Sequence, residues 1–210
     1  MRGLGVQRVV GALCAMSAMA GLAVTPAGAT TVTEARYGFS FSLPPQWTQV
    51  PLSSALIGKF MRAATKEDPS LEKALGNEVQ QATKQHLKFL AIGPVTGSFF
   101  PNMNIGVESS PSFAGLSAPT LLPLVQAQVR ELLSSAGAHQ LKVFTTKVHA
   151  ASAVEANYGF PLAGPPAHLV QGVQLYIFHG GRLYVVTFTA VTQRQDVATA
   201  RVVESSWRWV

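Results

Sequence analysis

Tyr37-Gly38-Phe39-Ser40-Phe41-Ser42-Leu43-Pro44-Pro45-Gln46-Trp47 is the stretch that decides the fold. Phe39, Phe41 and Leu43 alternate with Ser40 and Ser42, so one face of an extended segment is apolar and the other polar. Pro44-Pro45 removes two backbone donors and ends the strand. Trp47 follows as a large side chain that needs a core to sit in. A strand with so abrupt a stop reads as the first strand of a sheet that the later sequence completes. No catalytic signature accompanies it.

Upstream lies a leader. Arg2 and Arg8 precede an unbroken run of apolar and small residues from Val9 to Val24, and Pro26-Ala27-Gly28-Ala29 supplies small residues of the kind a signal peptidase reads. The run is 16 residues long, short of the ~20 strongly apolar ones a membrane span needs. Residues 1–29 are therefore expected to be a cleaved signal peptide, with an uncleaved anchor as the alternative. Residues 30–210 form a single domain on this reading. The mature protein is then expected to be secreted or periplasmic. Cys14 is the only cysteine and lies inside the leader, too early for a lipid-modification signal. Cleavage near Ala29 leaves a chain without thiol chemistry or disulfides. Removing Arg2 and Arg8 also leaves 14 basic residues against 10 acidic ones, a mild and scattered +4. Nucleic-acid binding needs a clustered basic stripe, which is missing.

Downstream, the apolar spacing predicts a helix from about Leu56 to Ala64 and a second from Asp68 to Lys84, the latter with a thin stripe broken by Gly76. Strands follow at His86–Ile92 and Met103–Val107. Between them Phe99 and Phe100 sit in a loop, either as a plug over the core or as a binding tip. Ser117 begins an amphipathic helix carrying Leu122, Val125, Val129, Leu132 and Leu133. Strands at Leu141–His149 and Val154–Phe160 precede a stiff turn at Pro161–Pro166. His168–Val191 reads as a hairpin closed by Gly180-Gly181, pairing His179 with Arg182. That register gives one wholly apolar face and a second face mixing Gln174, Tyr176, Thr187 and Thr189 with apolar residues. Gln193–Glu204 is a final helix, running into Trp207 and Trp209.

These pieces together resemble the PsbP-like superfamily. It includes the extrinsic PsbP subunit of photosystem II, the Ran-binding Mog proteins and Lpq-type actinobacterial lipoproteins, the exported Lpq-type envelope proteins being nearest. The carriers are Tyr37–Pro44 with Trp47, the strand Asn102–Val107, the helix Thr120–Ala136, the hairpin Gln174–Thr189 and Ser206-Trp207. The resemblance implies an α+β fold, an antiparallel β-sheet sandwiched between α-helices. It also implies binding or adaptor roles, with no catalytic residues to carry over.

The chemistry expected is correspondingly spare. His139 and His149 are a strand length apart, on the order of 30 Å, too far to share a metal ion. Ser70-Leu71-Glu72-Lys73 has the spacing of penicillin-recognising serine enzymes but lacks their companion motifs, so it is assigned to a helix start. No enzyme, cofactor or metal site is expected. Two functions remain. One is an exported binding or adaptor protein of the bacterial cell envelope, touching an envelope protein through Phe99, Phe100, Trp207 and Trp209. The other is a carrier of a small amphipathic or lipid-like ligand, held by Gln174, Tyr176, Thr187 and Thr189 in a cleft closed by the Asp68–Lys84 helix.

Overall fold

The computed structural model describes residues 29–50, 52, 87–94, 101–135, 139–162, 168–191 and 193–210. The leader, the expected helices between Leu56 and Lys84, and Phe99-Phe100 lie outside the described residues.

Strand β1 (Thr30–Glu34) turns through Gly38, at φ +80°, into β2 (Phe39–Leu43). Contrary to the sequence expectation, β2 does not begin the large sheet. It is the middle strand of a small one, between β1 and the two-residue β10 (Arg208–Trp209). Val32 faces Phe41 across one seam, and Trp209 faces Phe39 across the other. The second sheet has seven strands in the order β3 (Thr48–Gln49), β4 (Leu87–Ile92), β5 (Asn102–Ser109), β9 (Arg182–Ala190), β8 (His168–His179), β7 (Ala151–Leu162) and β6 (His139–Val148). Every described pairing is antiparallel. Helix α1 (Ala118–Ser135) carries the chain from β5, mid-sheet, to β6 at the edge and packs on β6 and β7. Helix α2 (Gln193–Ser206) packs with β2 on the opposite face, over β8 and β9. The α+β sandwich expected from the sequence is present, with a second small sheet sharing one of its covering layers.

Each face of the large sheet has its own core. Under β2 and α2, Phe39, Phe41 and Leu43 meet Phe89, Met103, Ile105, Val186 and Phe188. Trp207, 0% exposed, lies stacked against Phe39 at 4.8 Å and Phe41 at 5.7 Å between ring centres. Trp47 packs at the margin of this core, over Gly93. Under α1, Val125 and Val129 meet Tyr158, Tyr176, Leu183 and Val185. Tyr158 lies over its cross-strand partner Gly172, where a Cβ would come within 2.5 Å of the ring.

Two boundaries and one side-chain placement differ from the sequence reading. β6 and β7 join at His149-Ala150, both at positive φ (44° and 65°), in a two-residue turn without glycine. β7 also runs through Pro161, which pairs with Leu169, so the strand outlasts the expected proline turn. The β6 pairing ends at Gly159, so the missing proline N–H removes nothing from a ladder on that side. Trp207, expected at a partner surface, is instead a core residue, because α2 delivers it under β2.

Candidate functional site

The Gly180-Gly181 turn is as the sequence predicts, with φ of 57° and 70° and His179 paired to Arg182. Positive φ at both central residues suits the two-residue turn whose twist matches its strands. The backbone N–H of Ser110 donates to Gly181 O at 2.8 Å, tying the end of β5 to the turn. From there Pro111–Phe113 forms one 3-10 turn, and Gly115 (φ +80°) swings the chain toward Ser117 and α1. This segment and the hairpin tip enclose an open cleft of about 590 Å³.

The cleft has an apolar side and a cationic side. Phe113 meets Phe178 edge-to-face at 5.8 Å, and Leu116, 37% exposed, stands at the rim. Ser110, Ser117 and Ser152 add hydroxyls, while His179 and Arg182 supply the ionisable groups; none of the described lining residues is a carboxylate. Arg182 donates to Tyr37 O at 3.1 Å, and Tyr184 Oη donates to the same carbonyl at 2.9 Å, which fixes the guanidinium beside the cleft. Arg36 and Lys88 both lie over the Tyr37 ring, so that neighbourhood is cationic. His179 stacks on Trp209 at 3.9 Å, and burial holds its pKa below the usual imidazole value. Among the described lining residues no carboxylate orients this imidazole. The geometry suits recognition of a partner that brings an acidic group beside an apolar one.

The sequence-predicted site residues are placed differently. Gln174 and Thr187 are direct cross-strand partners, as the register required. Gln174 Nε2 donates to Thr187 Oγ1 at 3.0 Å, and Tyr176 Oη donates to Gln174 Oε1 at 2.6 Å. Thr189 lies on the same face, two residues along β9, and all four are buried. Burial pushes the Tyr176 phenol well above its ordinary range. The cavity adjoining Tyr176 measures about 10 Å³, at the lower limit for one water and far below any organic ligand. The structure therefore brings Gln174, Tyr176 and Thr187 together as a closed hydrogen-bonded row. Of the expected contact residues, Trp207 is buried and Trp209 is half-buried under His179.

Sequence reasoning missed Glu155. It is 0% exposed on β7, where Asn157 Nδ2 donates to it at 3.1 Å and Arg201 of α2 reaches it at 3.1 Å. Arg201 also pairs with Glu204, whose pKa is raised by burial against the opposing pull of Arg201. The signal was available: one carboxylate inside Ala153-Val154-Glu155-Ala156 must find a cation or lose its charge. Among the described residues, no group of three or more potential metal ligands converges, and no helix is long and apolar enough to cross a membrane.

No family model matches this chain, and no curated protein does. Among solved structures it is similar to cyanobacterial PsbP (CyanoP) from Synechocystis sp. PCC 6803, with a TM-score of 0.52 and 14% identity over 91% of this chain and 98% of that one. LpqN, involved in cell envelope biogenesis of Mycobacterium tuberculosis, gives 0.49 and 12% over 85% and 88%. The Saccharomyces cerevisiae Ran-binding protein Mog1p gives 0.47 and 8% over 87% and 95%. The fold is thus similar to that of CyanoP, and at such identity the likeness extends to fold alone. It does not single out the Lpq-type proteins.

Proposed function

We propose that this chain is an exported, non-catalytic binding or adaptor protein of the bacterial cell envelope, and that the cleft at the β8–β9 turn receives a segment of a partner protein. The observation that carries this is the cleft: about 590 Å³, with Phe113, Phe178 and Leu116 on one side and Arg182 on the other. The leader, with its basic start and small-residue end, supports the export. An Lpq-type relative remains the narrower kinship this role suggests. Carriage of a lipid-like ligand is the weaker reading, since Gln174, Tyr176 and Thr187 are closed on one another.

A photo-crosslinking residue at Leu116, in the full chain expressed in its host, tests the proposal. One discrete protein adduct is expected, lost when Arg182→Glu reverses the charge at the cleft. A background no different from the same probe at exposed Glu131 of α1 would sink the idea. Recovery of a small apolar molecule by native mass spectrometry would replace it with the carrier.

A further inference from the structure

The seven-stranded sheet ends differently on its two sides. One side stops at β3, only Thr48–Gln49; the other stops at β6, ten residues long, which among the described residues has a strand neighbour on one side only. From Lys142 to Val148 the ladder with β7 is continuous, and the irregularity before it, with Gln140 at φ +57°, bends only the first residues. A regular edge of this length offers a row of backbone donors and acceptors to any added strand.

Its side chains limit which strand can be added. β6 begins at His139, carries Lys142 and Lys147, is followed by His149, and contains no acid. Alternation puts Lys142 and Phe144 on the α2 face and Lys147 on the α1 face. Phe144 is opposite Glu155 and is 38% exposed. Pairing with a second copy brings four lysines onto one seam, two on each face, and with the two-fold axis at Lys142 or at Lys147 it opposes that lysine directly to its own copy. Like charges facing each other across strands are destabilising. An acidic strand meets the opposite situation on both faces.

We propose that β6 is a docking edge for an extended acidic segment of another protein, added to the sheet as a further strand. Its acids stand five residues apart, one on each face, with an apolar residue between them to cover Phe144. None of β6 lines the cleft at the hairpin turn, so this edge stands or falls independently of that site.

Hydrogen exchange of the full chain with two synthetic peptides tests it: Thr-Glu-Val-Thr-Val-Thr-Glu-Thr, and the same peptide with lysine for glutamate. The acidic peptide should slow exchange in β6 by about tenfold or more, an effect reduced by high salt, while the basic one leaves it unchanged. The double variant Lys142→Glu, Lys147→Glu should reverse the preference, with an unaltered thermal melt showing that it folds. Equal protection by both peptides overturns the proposal, as does protection confined to other segments. Sedimentation showing dimers that depend on β6 would overturn it in favour of self-pairing.

Discussion

The two faces of the large sheet are buried equally well by different means. Under β2 and α2, apart from the Glu155–Arg201 pair at β7, the filling is aromatic volume, with Phe39, Phe41 and Trp207 packed over Phe89, Ile105, Val186 and Phe188. Under α1 the apolar residues share the face with a polar row, where Asn104, Thr187 and Gln174 lie side by side on neighbouring strands. The first face gains from area removed from water and from ring contacts. The second holds groups that cost free energy unless each finds a partner, so it is specified by direction as much as by volume. Burial alone does not distinguish them, whereas substitution should.

The largest effect is expected on the aromatic face. Trp207→Ala removes a fully buried indole touching both β2 phenyl rings and should cost about 3–5 kcal/mol in urea denaturation. A loss under about 1 kcal/mol would mean the small sheet is not held by this stack. On the polar face, Gln174→Ala leaves Tyr176 Oη and Thr187 Oγ1 without their shared partner and should cost about 1–3 kcal/mol. Gln174→Leu would sharpen the contrast: recovered stability would show that the row is there for direction and not for energy. Trp47→Ala, at the half-buried margin, should fall between the two. Matching small effects for Trp47→Ala and Gln174→Ala would remove the distinction between the faces at that end.

The smallest effect concerns pH. His179 has a folded pKa held below its unfolded value of about 6.5, so the unfolded chain binds the proton more readily. The stability it contributes is present above about pH 6.5 and declines as pH falls toward the folded pKa. Melting temperature should therefore drop modestly between pH 7 and 5, and less so in His179→Phe, which keeps a ring on Trp209. Parallel pH profiles for the two proteins would count against this.

How much of this was legible depended on whether the signal was local. Gly180-Gly181 fixed the hairpin register, and through it the Gln174–Thr187 pair, because two glycines select one turn type. His149-Ala150 makes the same kind of turn with residues that do not favour positive φ, so the β6–β7 junction was displaced in the sequence reading. Pro161 looked like a breaker because its pairing on one side only is a property of the sheet, not of the tripeptide around it. The small sheet was illegible for a related reason. Arg208-Trp209 is too short to show alternation, and its partner lies at Phe39-Ser40. The cleft arises from glycine and 3-10 geometry, which carries no hydropathy period, and so was missed in favour of polar residues that turned out to be mutually bonded.

The closure of β2 by β10 has a kinetic consequence. Phe39 and Phe41 gain their full cover only when Trp207 and Trp209 arrive, so the aromatic face depends on contacts among the most distant in sequence that the described residues contain. Such contacts bear a loop-closure cost before any reward, which slows folding and postpones it until Trp207 and Trp209 are available. During synthesis β1 and β2 can form only an isolated two-stranded ribbon, marginal in water. For the export proposed above, that delay keeps the chain extended while it is threaded through a pore, and the aromatic face closes late.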